Sequence, residues 1–344
     1  MFAFRILNPK YAGAWDRFVL SQPNGTFFHL SGWTRAIEAA FGHRTLHYFT
    51  ERDGQVTGIM PLVWIKTRLF GDTMISMPFR GYGGPLAVDQ ESADQLEEYA
   101  GLLLRESTAT ALEIRCRDPA PSWDGWVPGP PRYATFRAAI EADHERNMQA
   151  IPCAQRAKLR QATRNGLTSV ADRDADRFYA VHAESMRNRG VPAFHRRYFR
   201  ILMEVFGKDA DIVTVFDKEK PVASVMNFYF REEVLPYHGG GTAAALGLGA
   251  NDFLYWEVMR RAADRGCRLF DFGRSRIGTD SFAAKQEWGF QAQPLHDAIR
   301  TKPGHPVPEA DRPDAGHRLL NKAWKHLPLP VANAIGPRVA RGIG

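Results

Sequence analysis

The sequence has 344 residues, of which 44% are hydrophobic and 24% are charged, and its formal net charge is +7. These values are typical of a soluble globular protein that is long enough for two domains. Residues 1–20 lack the continuous apolar core of a signal peptide, and no stretch approaches the roughly 20 apolar residues of a membrane-spanning helix. We therefore expect a cytoplasmic protein.

The charge balance and the cysteines restrict the chemistry further. A basic excess suits an anionic partner such as a phosphate-bearing substrate, RNA or a membrane surface, without choosing among them. The three cysteines, Cys116, Cys153 and Cys267, are odd in number, far apart and without metal-type spacing. We expect reduced thiols, no disulfide framework and no metal site.

The first half of the chain predicts two helices and a series of strands. In chain order they are a helix over residues 31–41 that Ser31 caps, strands over 46–50, 55–65 and 74–77, a helix over 92–106, and strands over 111–115 and 133–140. The dipeptide Asp53-Gly54 predicts the turn of a hairpin.

The second half predicts the same kinds of element. They are a helical junction over 143–166, helices over 178–188 and 196–206, strands over 211–216, 222–230 and 234–238, a helix over 252–265, and strands over 268–273 and near Leu295. A proline-rich linker over 303–313 leads to helices over 317–325 and 331–344. We expect these helices to pack back on the first domain, with contact to a membrane surface as the alternative.

The two halves repeat one pattern. Aromatic and glycine landmarks recur in the same order: Phe28-His29, Phe41-Gly42-His43 and Tyr82-Gly83-Gly84 first, then Phe194-His195, Phe206-Gly207-Lys208 and Tyr237-His238-Gly239-Gly240. The pattern predicts a tandem α+β fold with domains at residues 1–145 and 146–302, followed by a C-terminal segment at 303–344. Ligands favour the cleft that such a duplication creates.

A glycine loop precedes the strongest predicted helix of the second half. Gly247 and Gly249 stand between a strand and the helix that Asn251 or Asp252 can cap. Free backbone N–H groups at such a helix start can face an anion. The matching helix of the first half begins among Asp89, Glu91 and Asp94, so we expect anion binding only in the second half.

Polar residues also follow the predicted strand over 268–273. Asp271 and Arg274 flank Gly273, and Ser275 comes next. At a strand end beside a cleft, a carboxylate and a guanidinium can orient an amine and an acyl or phosphate oxygen. The alternative is that Asp271 and Arg274 form a structural ion pair.

A lysine between aromatic residues comes soon afterwards. Phe282, Lys285 and Trp288 recur every three residues, which places them on one side of a helical turn, and Gly289 follows. Lys285 is then either a positive charge for a substrate oxygen or a surface lysine whose stem is packed.

Taken together, these motifs resemble a known family. The ordered set Arg156-x3-Arg160-x-Ala162-x3-Gly166, Asp271-Phe272-Gly273-Arg274-Ser275 and Phe282-x2-Lys285-x2-Trp288-Gly289, on a tandem repeat, resembles the FemAB-like proteins. These are double-domain acyltransferases of the GNAT superfamily. The sequence is most similar to their branch associated with exosortase (PEP-CTERM) and exopolysaccharide systems, and the resemblance covers about residues 20–300.

The resemblance implies two tandem GNAT-like (acyl-CoA N-acyltransferase) domains, each a mixed sheet flanked by helices. It also implies transfer of an acyl or aminoacyl group to an amine of an envelope, peptidoglycan or exopolysaccharide precursor. Acyl-CoA or aminoacyl-tRNA would be the co-substrate, no cofactor would be tightly bound, and DNA is not an expected partner. No long coiled-coil arm lies between residues 154 and 209, which argues against docking of a whole tRNA.

For such a direct transfer we expect Lys285 or Arg274 to supply positive charge, and Asp271, Glu287 or His238 to act as orienter or base. Predicted substrate contacts are Tyr237, Gly247, Gly249, Asn251, Ser275, Phe282 and Trp288. Arg156 and Arg160 join them as phosphate contacts to a nucleotide-linked or lipid-linked precursor, or else form a solvated helix face.

The alternatives are a catalytically silent GNAT-fold module that supports an exopolysaccharide assembly, and an RNA-binding protein. The second lacks interleaved aromatic residues.

Overall fold

The computed structural model describes residues 2–67, 71–79, 81–307 and 321–342. The chain forms two compact units. The first contains Met1–Arg132, Pro294–Arg312 and Arg341–Gly344, and the second contains Tyr133–Gln293 and Pro313–Ala340. The change of unit thus falls after residue 132, not after 145 as the sequence suggested.

The secondary structure follows the predicted order closely. The strands are β1 (Phe2–Ile6), β2 (Arg44–Thr45), β3 (Tyr48–Arg52), β4 (Gln55–Met60), β5 (Val63–Thr67), β6 (Gly71–Ile75), β7 (Leu86–Ala87), β8 (Ala111–Cys116), β9 (Val127–Pro128), β10 (Tyr133–Ala139), β11 (Thr168–Asp172), β12 (Ala210–Asp217), β13 (Lys220–Phe230), β14 (Glu233–Gly241), β15 (Leu269–Asp271), β16 (Ser275–Arg276), β17 (Ala292–Pro294) and β18 (His296–Thr301).

The helices are α1 (Ala12–Ser21), α2 (Gly32–Phe41), α3 (Gln90–Glu106), α4 (His144–Ala150), α5 (Cys153–Arg164), α6 (Ala175–Arg189), α7 (Arg196–Phe206), α8 (Ala245–Leu248), α9 (Ala250–Asp264), α10 (Asp280–Gln286) and α11 (Leu329–Ala340). Two short 3-10 helices cover Phe27–His29 and Gly207–Asp209. β1 and α1 were not expected from the sequence. Residues 143–166, expected to be one helical region, form the two helices α4 and α5.

The strand pairing confirms the repeat. In the first unit β1, β3, β4 and β7 form one sheet, and β2, β5, β6, β8, β18 and β9 form another. Pro61 lies at the break between β4 and β5, where it cannot donate to the strand ladder. The second unit has an eight-stranded sheet in the order β11, β12, β13, β14, β15, β10, β16, with β17 beside β10. In both units one central pair is parallel, β6 with β8 and β14 with β15, and the preceding pairs are antiparallel.

Each unit contains a strand that the other repeat supplies. β10 follows the first repeat in the chain but pairs with β15, where Ala138 lies opposite Phe270. β18 follows the second repeat but pairs with β8, where Ala298 lies opposite Ile114. This exchange explains why both domain boundaries differ from those expected from sequence order.

Each unit packs its own hydrophobic core. In the second unit Leu254, Val258 and Ala262 of α9 are buried in the same cluster as strand residues such as Val225 and Phe270, as the helical periodicity predicts. In the first unit α3 contributes Leu96, Ala100 and Leu104 to a cluster that also holds Tyr48 and Leu112. The helices that follow β7 and β14 are therefore fixed by burial against their own sheets.

The last helix differs from its predicted placement. α11 packs against α6 in the second unit. Arg341, the residue after this helix, belongs to the first unit, where its carbonyl oxygen lies 2.8 Å from His43 Nε2. Gly336 of α11 is buried, and a Cβ there would lie 3.2 Å from the carbonyl oxygen of Ala193, so a small residue permits the approach. The predicted linker and the helix over 317–325 fall partly on residues 308–320, outside the described residues. Within the described part of the chain, every helix is too short or too polar to cross a membrane.

Candidate active site

The parallel strands β14 and β15 separate soon after they pair. Their ladder contains the pairs Glu233–Leu269 and Val234–Phe270. β14 continues to Gly241, while β15 ends at Asp271. β14 also carries a bulge, because Met226 of β13 lies opposite His238 whereas Asn227 lies opposite Pro236. Tyr237 is the additional residue. The two strands thus leave a gap in the sheet of the second unit.

A second bulge lies directly after β15. β10 pairs its Arg137 with Asp271 and its Ala134 with Ser275. One strand advances three residues where the other advances four, so one residue of the segment 272–274 is extra. Gly273 has φ +71°, a left-handed conformation that glycine adopts without strain. The bulge displaces residues 272–274 from the regular ladder.

Lys285 of α10 binds this bulge. Its Nζ donates to the carbonyl oxygens of Phe272 at 2.6 Å and Gly273 at 2.8 Å. The ammonium also lies 5.9 Å from the ring centre of Phe136 and 6.0 Å from that of Phe272. The lysine is therefore neither a surface residue nor an isolated charge, because it holds the backbone at the strand end.

Asp271 supports the same bulge from inside the protein. Its carboxylate is 0% exposed and accepts hydrogen bonds from Thr135 Oγ1 at 2.5 Å and from the Gly273 N–H at 2.7 Å. The Nε atom of Arg137 lies 3.5 Å from the other carboxylate oxygen. Asp271 thus forms an ion pair with Arg137. A carboxylate so enclosed can orient the bulge but does not reach a substrate.

Arg274 and two more predicted residues lie around the bulge. The guanidinium of the half-buried Arg274 stacks 3.5 Å from the ring centre of Tyr133. Ser275 Oγ lies 3.3 Å from Ser281 Oγ, and the Phe282 ring contacts Phe136 edge-on at 5.1 Å. Residues of both motifs therefore lie together around the bulge, namely Asp271, Arg274, Ser275, Phe282 and Lys285.

One residue that the sequence analysis missed lies beside this cluster. Tyr255 of α9 packs its ring against Phe272 at 5.0 Å and Trp288 at 6.4 Å. Its hydroxyl lies 3.4 Å from where a Cβ of Gly239 on β14 would stand. Burial raises the pKa of Tyr255, with a smaller opposing effect of Arg189. Tyr255 therefore keeps its proton while it bridges the two separating strands.

Asn251 lies one turn before Tyr255 on the same face of α9. Its side-chain oxygen is 2.8 Å from where a Cβ of Gly241 would stand. A Cβ at Gly240 would lie 2.2 Å from Ser185 Oγ of α6. The glycines of β14 thus let polar side chains of two helices approach the strand. The spacing of four residues places Asn251 and Tyr255 on one helix face, but it does not by itself distinguish a site from the core.

Two further predicted residues, Tyr237 and His238, lie on β14. His238 is 1% exposed, and its ring packs against His182, Phe194 and Phe199 at 5.2 to 5.9 Å. Tyr237 contacts the rings of His238 and Phe228. The buried position of His238 does not suit the role of a solvent-accessible base.

Glu287 and the basic residues of α5 lie on the surface. Lys158 Nζ and Glu287 Oε2 form an ion pair at 2.5 Å, with both side chains about half exposed. Arg156 donates to the carbonyl oxygen of Gln149, and Arg160 is exposed. Glu287 is therefore engaged in an ion pair with Lys158 at the surface.

The glycine loop is folded. Residues 245–248 form the short helix α8, and Gly249 joins it to α9 with φ +66°. A Cβ at Gly249 would lie 3.2 Å from the Cβ of Ala162, so α5 packs against this junction. Asp252 in the first turn of α9 accepts from Gln155 at 2.5 Å and already brings a negative charge to the helix start. Gly247 is exposed at the surface.

Comparison with known proteins agrees with this architecture. Residues 154–283 match the sequence profile of the Acetyltransferase (GNAT) domain. The chain has a GNAT-like fold. It is similar to the crystal structure of FemX, with a TM-score of 0.67, 15% identity, and coverage of 86% of this chain and 96% of that one. No curated protein sequence matches the chain.

Two further structures are similar over most of their lengths. One is the C-terminal domain (DUF2156) of a putative lysylphosphatidylglycerol synthetase from Agrobacterium fabrum, with a TM-score of 0.56, 13% identity, and coverage of 86% of this chain and 93% of that one. The other is a tandem GNAT protein from the clavulanic acid biosynthesis pathway, with a TM-score of 0.56, 14% identity, and coverage of 89% and 100%. At these identities the likeness establishes the fold.

Proposed function

We propose that the second unit transfers an acyl or aminoacyl group to a primary amine. The observation that carries the proposal is the gap between β14 and the bulge after β15, which the Tyr255 hydroxyl borders from α9. The GNAT domain match over residues 154–283 covers α9, β15 and most of α10, and so includes these groups. A substrate carbonyl placed in the gap has the backbone of β14 on one side and the cluster that contains Arg274 and Lys285 on the other.

The residues divide into those that act on the substrate and those that position them. We assign to Arg274, a residue of the bulge whose guanidinium stacks on Tyr133, the stabilisation of negative charge on the attacked carbonyl oxygen. Tyr255 donates its proton to the departing thiolate or ribose oxygen as the amine nitrogen bonds to the carbonyl carbon and the bond to the leaving group breaks, and the resulting phenolate takes the surplus proton of the amine, which restores the tyrosine. Lys285 and Asp271 are positioning residues, since both bind the backbone of residues 272–274.

The donor is an acyl-CoA or an aminoacyl-tRNA, and the acceptor is an amine of an envelope or exopolysaccharide precursor. GNAT domains use acyl-CoA, which supports the first donor. The names FemX and lysylphosphatidylglycerol synthetase belong to structures similar over most of this chain and support an acceptor of the cell envelope. The resemblance to the exosortase-associated branch extends the same proposal to exopolysaccharide precursors.

The test incubates the protein with an acyl-CoA panel or with charged tRNA, together with amine acceptors, and detects the amide product by mass spectrometry. Wild type is compared with Tyr255→Phe, and with Arg197→Ala, which removes an exposed arginine of α7 as a surface control. We expect product with wild type and Arg197→Ala and at least a hundredfold less with Tyr255→Phe. Donor binding without product from any donor would favour the catalytically silent binding module instead.

A further inference from the structure

The C-terminal helix of the second unit has an apolar face that points to solvent. Val331 of α11 is 40% exposed and Ile335 is 43% exposed, and Ala334 beside them is exposed as well. Positions 331, 334, 335 and 338 lie on one side of a helix, so the exposed Arg338 belongs to the same face. The outer side of α11 is therefore apolar near its start and cationic near its end.

The inner side of α11 holds this face in place. Ala332, Gly336 and Ala340 are buried, and α11 packs on α6. Leu329 packs against a small buried cluster that α6 and the segment after it form. The small buried residues let the helix approach its neighbours closely, so the helix is anchored without its aliphatic side chains at 331 and 335. Those two side chains are thus held at a fixed place on the surface.

The charges near this face have one sign. Residues 321–342 include Lys322, Lys325 and Arg338 and contain no acidic residue. Lys325 is exposed, and its Cε is 3.3 Å from where a Cβ of Gly190 would stand, so its stem lies on the protein while its side chain reaches solvent. A surface with this charge attracts an anionic partner.

A tryptophan joins the lysines to the helix. Trp324 is half-buried, and its Cζ2 is 3.5 Å from where a Cβ of Gly336 would stand. Tryptophan suits the boundary between water and lipid, because its ring is apolar while its N–H is polar. We call these residues together the C-terminal surface, namely Trp324, Lys325, Val331, Ala334, Ile335 and Arg338.

This combination favours a lipid surface over other anionic partners. Single-stranded nucleic acids stack on aromatic side chains, whereas Val331 and Ile335 are aliphatic. A second copy of the chain would bring two sets of cations together. Anionic lipids satisfy both parts of the surface, since aliphatic side chains enter the boundary of the acyl chains and cations bind the headgroups.

We propose that the C-terminal surface docks on a membrane surface that carries anionic lipids. α11 lies in the plane of the interface, with Val331 and Ile335 toward the acyl chains and Lys325 and Arg338 at the headgroups. The docking is peripheral. It goes beyond the proposed transfer reaction and does not depend on it.

The test is flotation of the full chain with lipid vesicles. One set of vesicles contains phosphatidylcholine alone, and the other contains phosphatidylcholine and phosphatidylglycerol in equal parts. We expect the protein to float with the anionic vesicles and much less with the neutral ones. Added salt should release it, because salt screens the attraction between the cations and the headgroups.

Two variants and two matched controls locate the contact. Ile335→Ser should weaken binding to the anionic vesicles about tenfold, because an aliphatic side chain no longer enters the bilayer. Its control is Leu102→Ser, at a leucine of α3 that is 42% exposed, which should bind as wild type does. Lys325→Gln should weaken binding about fivefold, and Lys220→Gln, at the exposed start of β13, should not change it. Circular dichroism confirms that each variant is folded.

Three results would overturn the proposal: no binding to the anionic vesicles, equal binding to both kinds of vesicle, or equal effects of Ile335→Ser and Leu102→Ser. Binding of a single-stranded RNA without any binding of vesicles would also overturn it and would assign the cations to nucleic acid. Tyr255→Phe should bind vesicles as wild type does. Failure of the transfer reaction and failure of membrane docking therefore give different results.

Discussion

Lys285 holds the backbone of Phe272, since its ammonium donates to that carbonyl oxygen over 2.6 Å and to the next one over 2.8 Å. A residue that the sequence presents as a substrate charge is therefore also part of the scaffold of the candidate site. The neighbouring Asp271 binds the same segment through the Gly273 N–H. The shape of the bulge thus depends on one cation and one anion that come from different elements.

Replacing Lys285 tests this dual role. Lys285→Met keeps the stem but removes two charge-assisted hydrogen bonds, so we expect a loss of about 2 kcal/mol in the free energy of unfolding. Transfer activity should fall as well, through kcat, because the bulge is no longer held. Urea unfolding measures the first effect. Lys220→Met, at the exposed start of β13, is the control and should leave both quantities unchanged. Equal stability of the two variants would contradict the structural role.

The buried carboxylate of Asp271 gives a second prediction. Asp271→Asn removes a charge that Arg137, Thr135 and the Gly273 N–H all contact, and we expect a loss of about 3 kcal/mol. Glu233 is the other acidic partner of Arg137. Glu233→Gln leaves Asp271 unchanged and should lower the free energy of unfolding by less than Asp271→Asn. Chemical denaturation at neutral pH compares the two. A smaller cost for Asp271→Asn than for Glu233→Gln would show that the bulge does not rely on this carboxylate.

Two buried histidines of the first unit make its stability depend on pH. Burial lowers the pKa values of His29 and His47 to about 4 in the folded protein. Because the unfolded chain binds these protons near pH 6.5, their stabilising effect is complete above that pH and is lost as the pH falls toward 4. For each histidine, the free energy of unfolding should fall by about 2 kcal/mol when the pH is lowered from 7 to 5.

The measurement is the free energy of unfolding at both pH values for wild type and for His47→Phe, which keeps a ring beside Trp15. The free energy of unfolding of His47→Phe should fall less on acidification than that of wild type, and the difference should equal the contribution of one histidine. His305→Phe, at an exposed histidine, should retain the wild-type change. If His47→Phe and wild type lose the same stability on acidification, the buried neutral state of His47 is wrong.

The exchange of strands predicts how the chain tolerates truncation. β10 lies between β15 and β16 in the second sheet and buries Phe136. A fragment of residues 133–340 retains this strand, whereas a fragment of residues 146–340 exposes the edge of β15. We expect a cooperative thermal transition for the longer fragment and none for the shorter, as followed by circular dichroism. Similar melting of both would mean that β10 contributes little to the second unit.

The sequence predicted those parts of the fold that depend on local pattern. The stripe Leu254, Val258 and Ala262 and the terminating Gly266 located α9 to within two residues, because a buried helix face requires that periodicity. The tandem repeat could also be recognised in the sequence, because each copy has its own hairpin turn and its own glycine pair. The exchange of β10 and β18 could not be recognised in the sequence. Each of these strands pairs with a strand more than 100 residues away, and such pairing leaves no periodic signal.

The sequence predicted only the part of the candidate site that belongs to short local motifs. Asp271, Arg274 and Lys285 belong to short motifs, and the structure brings them together. Tyr255 was missed because a tyrosine on a half-buried helix face has the same pattern whether it fills the core or borders a site. His238 was expected to be a base because it follows Tyr237 at a strand end, but it is buried, and Glu287 is paired with Lys158.

The most direct test of the account is the rate of amide formation by Tyr255→Phe relative to wild type, with the donor at saturating concentration. The substitution removes one oxygen atom and leaves the ring contacts with Phe272 and Trp288. The account predicts a fall in kcat of at least a hundredfold with a nearly unchanged KM for the donor and an unchanged thermal transition. A variant that forms amide at the wild-type rate would contradict the assignment of the reaction to the gap between β14 and the bulge of residues 272–274.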